Sequence, residues 1–120
     1  MWGFILIYML NKQQRLTKKE FNDVFEKGKP VHSDFLFAKI LEINKKIPSK
    51  FSVSVPVKIE KKAVKRNLLR RRGYAIIREN LKNIKNGFSV IIIIKKGAEK
   101  LDFEEYKKEI NKILKKTNLI

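Results

Sequence analysis

No cysteine occurs among the 120 residues, and there is one histidine. The first absence excludes a disulfide framework, a thiol nucleophile and every thiolate metal site, and suits a reducing cytosol. The second leaves His32 alone beside Pro30 and Val31. A general base needs placed partners, so His32 reads as a surface or strand-edge residue. Acidic residues are scarce as well, with 12 Asp plus Glu against 29 Lys plus Arg, a formal charge of +17 and a pI near 10.2. No carboxylate pair, histidine pair or nucleophile elbow stands where an acid–base or metal-dependent active site could be built, so no catalytic residue and no protein metal site is expected.

Long hydrophobic runs are also few. The N-terminal ten residues, MWGFILIYML, are apolar but too short to span a bilayer, and they lack a basic leader and a small-residue cleavage site. Met9 opens a second candidate start, so residues 1–8 read as an apolar extension: a start-site artefact, or else an anchor or an added strand. The domain proper is expected over residues 9–120. The chain shows no internal repeat, low-complexity tract or Gly/Ser linker, and its length permits one domain. At 43% apolar residues it can bury a modest core.

What is present in excess is positive charge. Self-repulsion on this scale opposes compaction, so a nucleic acid or an anionic surface is expected to neutralise it in use. The charge is densest over residues 58–74, KIEKKAVKRNLLRRRGY, which read as part of a helix spanning about 60–80. On a wheel of roughly 100° per residue, Arg66, Asn67, Arg70, Arg71, Tyr74 and Arg78 share an arc, while Val64, Leu68, Leu69, Ala75 and Ile76 fall on the other side and are expected to face a sheet. The arginines could simply solubilise the helix. Asn67 argues for more, because its helix propensity is poor and its amide can both donate to and accept from RNA.

The remaining pattern is α+β. Thr17 and Glu20 form a capping box, Phe21, Val24 and Phe25 follow at helical spacing, and Gly28 ends the element before a turn at 28–30. The β-formers at 35–43 and the alternating stretch 51–57 flank turn residues and suggest a hairpin, with Pro56 near a strand end or edge. The apolar run 88–94, FSVIIII, reads as a strand covered on both faces. Asp102 caps a last helix whose Tyr106, Ile110, Ile113 and Leu114 share a face. Helices on a mostly antiparallel sheet are expected.

With KAVKRNLLRRR between two strands and KKGAEKLDFEEYKKEINKILKK at the end, the chain resembles the protein subunit of bacterial ribonuclease P over roughly residues 9–116. The family signature in the central helix, A-V-x-R-N-R-x-K/R-R, is matched by Ala63, Val64, Arg66, Asn67, Arg70 and Arg71. It is broken at Leu68, where Arg or Lys is usual, and at Pro56 and Val57, where a Ser-Lys pair commonly precedes the Lys matched by Lys58. The resemblance implies an αβββαβα two-layer sandwich with a four-stranded sheet, ribosomal protein S5 domain 2-like. It further implies a cytoplasmic protein that does not itself cut: a catalytic RNA cleaves the 5′ leader of precursor tRNA with Mg²⁺, and the protein, monomeric without RNA, binds both RNAs and no membrane.

By the same resemblance the catalytic RNA would meet Lys62, Lys65, Arg66, Asn67, Arg70, Arg71 and Arg78. The leader would lie in a cleft between the first helix and the sheet, with Phe21, Phe25, Phe35 or Phe37, and Lys58. Core packing is the ordinary alternative for Phe21 and Phe25, since Phe at i and i+4 buries any amphipathic helix. Strand alternation sends Phe35 and Phe37 to one face and does not choose between them. Lys12, Arg15, Lys18 and Lys19 would add phosphate contacts near the cleft. Two other classes remain open on residues alone: a general RNA-binding or ribosome-associated module, and a membrane-surface protein anchored by Trp2, Phe4, Ile5, Leu6 and Ile7.

Overall fold

The computed structural model describes residues 14–120. The apolar extension and Lys12 lie outside the described residues. Helix α1 spans Lys18–Lys27 and begins with the expected capping box: the Glu20 N–H donates to Thr17 Oγ1 at 3.2 Å, and the Thr17 N–H donates to Glu20 Oε1 at 2.9 Å. Lys50 Nζ completes the arrangement 2.9 Å from Glu20 Oε2.

Partial burial pushes the Glu20 carboxyl up, but the Thr17 N–H and the Lys50 ammonium outweigh this and hold it below its ordinary value. A depressed carboxylate contributes stability that is present above its unfolded pKa and lost as pH falls through the lowered folded one. Glu20→Ala is therefore expected to cost about 1 kcal/mol in urea unfolding at neutral pH. The difference from the parent protein should shrink on acidification through that lowered value.

Four strands follow the order β1-β2-β4-β3, with β1 at Lys29–His32, β2 at Leu36–Glu42, β3 at Lys50–Ser54 and β4 at Phe88–Ile94. Residues 29–30, expected in a turn, already belong to β1. The expected hairpin between the second and third strands does not form. β4 sits between them, antiparallel to β2 and parallel to β3, so the sheet is mixed. The residues explain this choice: β4 is apolar on both sides and must be central, whereas β3 alternates buried Phe51 and Val53 with half-exposed Ser52 and Ser54 and suits an edge. Pro56 follows just beyond that edge strand, where its missing N–H costs no ladder bond.

Helix α2 spans Ala63–Asn80 and α3 spans Phe103–Lys116, the latter capped by Asp102 and Glu105. Both cover one sheet face. Leu36, Ala38, Phe51, Val53, Val90, Ile92 and Ile94 bury there against Leu69, Ile76, Ile77, Tyr106, Ile110, Ile113 and Leu114. Val24 and Ile91 are buried outside that cluster, on the opposite face, where α1 lies against β2 and β4. The two long helices thus form one layer on the sheet, and the short α1 takes the other face.

Two details fix α2 on the sheet. Tyr106 Oη donates to the Leu69 carbonyl at 3.1 Å across the α2–α3 contact, and burial raises its phenol pKa far enough that it stays a donor. Gly73 lies beneath it: a Cβ there would meet Tyr106 Oη at 2.7 Å and Val53 Cγ1 at 3.0 Å. The outer edge of β3 is closed as well. The Leu16 N–H donates to the Phe51 carbonyl at 3.0 Å, and the Val53 N–H donates to Tyr74 Oη at 3.1 Å.

Candidate nucleic-acid interface

Helix α2 buries Leu69, Gly73, Ile76 and Ile77, so its opposite side is open. Asn67 and Arg71 are exposed there, Arg70 and Tyr74 half-buried, and the Asn67 side-chain oxygen accepts a hydrogen bond from Arg70 Nη2. An open groove of about 420 Å³ is lined by these four residues and Arg15. Three guanidiniums therefore surround one concavity with an aromatic ring in its wall. Such forks bind two phosphate oxygens at once and stack on bases. Arg15, expected near the first-helix cleft, joins the α2 face instead because its backbone bridges Phe51 on the β3 edge. No local signal in the sequence marks that long-range pairing.

The other residues expected on this helix divide. Lys62, Lys65 and Arg78 are exposed. Arg66 is half-buried, and its Nη1 donates to the carbonyls of Glu60 at 3.0 Å and Lys61 at 2.8 Å, so it also ties down the loop leading into α2. The helix begins at Ala63, about three residues later than the periodicity suggests. Val64 and Leu68 correct the wheel reading: they are 80% and 39% exposed and do not face the sheet. The reason is geometric. The buried stripe centres on Leu69, Gly73 and Ile76, Leu68 lies on its flank, and Val64 occupies the first turn of the helix.

On the other face of the sheet, α1 presents two rings. Phe21 and Phe25 are nearly parallel, with centroids 6.2 Å apart and planes at 13°, and Phe25 is 50% exposed. Val24, between them, carries the packing. The strand register places His32, Phe37, Ile93 and Ser54 in one row on this face, one pleat from the row of Lys39, Ile91 and Ser52. Phe37 is half-buried with its ring 4.6 Å from that of His32, which stands exposed on edge strand β1.

Phe35 departs from the alternation because the chain bends before β2 begins. Its ring packs on the main core and within 3.1 Å of where a Cβ on Gly97 would stand, at a φ of 100°. Phe37 therefore shares the α1 face and Phe35 does not. Lys58 is exposed in the turn after β3, where the Ile59 N–H donates to the Pro56 carbonyl. Lys18 and Lys19 are exposed in the first turn of α1. Among the described residues, no group of three or more His, Cys, Asp or Glu could hold a metal ion, and no helix is long and apolar enough to cross a membrane.

A small basic α+β domain with an arginine-lined helix face and aromatic rings on the opposite face of its sheet offers the kinds of surface by which ribonucleoprotein subunits meet RNA. A family model for ribonuclease P matches residues 10–118. The ribonuclease P protein component of Microcystis aeruginosa is 38% identical over 106 residues, covering 86% of this chain and 88% of that protein. That of Syntrophomonas wolfei is 35% identical over 112 residues, covering 92% of each. Among solved structures, the RNase P protein from Thermotoga maritima has a TM-score of 0.77 at 25% identity, covering 85% of this chain and 96% of that one. An RNase P protein mutant from Staphylococcus aureus shares the fold at a TM-score of 0.83 and 20% identity, covering 100% of this chain and 98% of that one.

The chain belongs to the ribonuclease P protein family. These relationships favour a role as the protein component of ribonuclease P, in tRNA processing, over a general RNA-binding or ribosome-associated module.

Proposed function

We propose that this chain is the non-catalytic subunit of the enzyme, docking on the catalytic RNA through α2 and holding the 5′ leader of precursor tRNA against α1 and the sheet. The observation that carries the first half is the groove of Arg15, Asn67, Arg70, Arg71 and Tyr74. Lys62, Lys65, Arg66 and Arg78 extend the same cationic surface along the helix. The second half rests on Phe21, Phe25 and Phe37, which offer ring surface to unpaired bases without sequence preference, and on Lys58 for a phosphate. Phe35 is assigned no contact, since its ring serves the core. Cleavage and its Mg²⁺ belong to the RNA in this reading. The protein is cytoplasmic and monomeric until it meets that RNA.

Reconstitution tests the proposal: mixing the chain with the catalytic RNA of the same source at low Mg²⁺ should raise cleavage of precursor tRNA, and no rise would end it. Phe21→Ala is expected to weaken precursor binding by about 1–2 kcal/mol, the loss of one stacked base, while leaving mature tRNA affinity in place. Equal losses for both tRNAs would assign Phe21 to packing alone.

A further inference from the structure

One lysine on the α1 face differs from the rest of the cationic surface. Lys39 lies mid-strand in β2, half-buried beside the central strand, with its ammonium 4.4 Å from the Phe25 ring centroid and donating a hydrogen bond to the Phe25 carbonyl. Its register partners are Pro30 and Ile91, neither charged. Among the described residues, Lys39 takes part in none of the ion pairs; Lys50, on edge strand β3, is the lysine matched to Glu20. A lysine in an inner strand is thus spent on one carbonyl and one exposed ring, leaving its charge uncompensated. Its backbone is fixed by ladders on both sides, and its ammonium stands at Phe25 with no acidic partner among the described residues.

We propose that Lys39 is a phosphate-binding residue of the α1 face, holding the backbone of single-stranded RNA while bases lie against Phe21 and Phe25. This rests on the leader-binding reading given above and adds to it the residue that supplies charge among the rings. The ring and the carbonyl keep the ammonium in place in the free protein. An arriving phosphate meets a cation already positioned, and its full negative charge attracts more strongly than the ring's quadrupole. The placement also sets a spacing: because the ammonium stands over Phe25, phosphate and base contacts fall within one nucleotide of each other. Stacking on an aromatic platform beside a cationic track is a general mode of single-strand binding.

The test uses the full chain reconstituted with its catalytic RNA, and compares precursor tRNA bearing a leader with mature tRNA across a salt series. Lys39→Met keeps the length and apolar stem of the side chain and removes the charge. It is expected to lower the preference for precursor about two- to fivefold, and to reduce the salt slope for precursor by roughly 0.7, one single-strand phosphate contact. Lys39→Arg should restore the slope. An unchanged slope and preference in Lys39→Met would overturn the proposal, as would equal losses for precursor and mature tRNA, which mark a structural role. Phe21→Ala runs beside them. If it loses leader preference and Lys39→Met does not, the lysine assignment fails alone; if neither does, the leader-binding reading falls and takes the lysine with it.

Discussion

Replacing Arg70 and Arg71 together with Ala should weaken binding of the catalytic RNA by about 2–4 kcal/mol, some 30- to 1,000-fold, because each charge-assisted contact to phosphate contributes about 1.5–3 kcal/mol and the two share one groove. The salt dependence should fall with it. Each lost contact releases about one counterion fewer, so the slope of log K against log salt should become shallower by roughly 1.5–2 units. The design avoids Arg66 for a structural reason: its guanidinium binds the carbonyls of Glu60 and Lys61, and its removal would mix loop damage with lost RNA contact. Arg71 is exposed and Arg70 leans on Asn67, a neighbour in the same groove, so circular dichroism and unfolding of the double variant should match the parent. Binding that weakens while the slope stays constant would mean that the arginines shape the surface rather than meet phosphates.

The largest effect on stability is expected at Gly73. In the interior of an ordinary helix, Gly→Ala gains about 1 kcal/mol. Here the sign should reverse. The new methyl would stand 2.7 Å from Tyr106 Oη and 3.0–3.2 Å from both Val53 methyls. None of these atoms has room to yield: Tyr106 is 1% exposed and hydrogen-bonded to Leu69, and Val53 is held in β3. Overpacking of this kind costs typically 1–3 kcal/mol, so Gly73→Ala is expected to lose about that much in urea unfolding, and Gly73→Val more than about 3 kcal/mol. A Gly73→Ala protein more stable than the parent would show that α2 can lift from the sheet at little cost. The groove proposed to bind RNA would then be a softer surface than its geometry implies.

Both predictions turn on the same helix, and the sequence disclosed only half of it. The arginine character, the Asn within the run and the match of Ala63, Val64, Arg66, Asn67, Arg70 and Arg71 to the family signature were legible, since they are properties of adjacent residues. The side occupied by Val64 and Leu68 was not. A wheel assumes that every apolar residue on one arc finds a surface beneath it, and here the packed stripe is set by Leu69, Gly73, Ile76 and Ile77. Arg15 shows the same limit, because its place beside Arg70 follows from a bridge to Phe51, 36 positions away. The sequence alone assigns no role to Lys39. Alternation through 35–43 aligns it with Phe37, but only the crossing of α1 reveals that its ammonium reaches Phe25.

By itself the sequence determined the charge, the α+β character, the capping box at Thr17 and the cap at Asp102, the apolar faces of α1 and α3, and the burial of FSVIIII on both faces. Each is encoded within a turn of helix or a few residues of strand, where propensity and periodicity act. Tertiary structure decided the strand order, the parallel pairing of β3 with β4, the separation of Phe35 from Phe37, and the meeting of Arg15 with α2. These depend on which distant segments bury each other's apolar faces and complete each other's backbone hydrogen bonds, a competition settled only when the whole chain is folded.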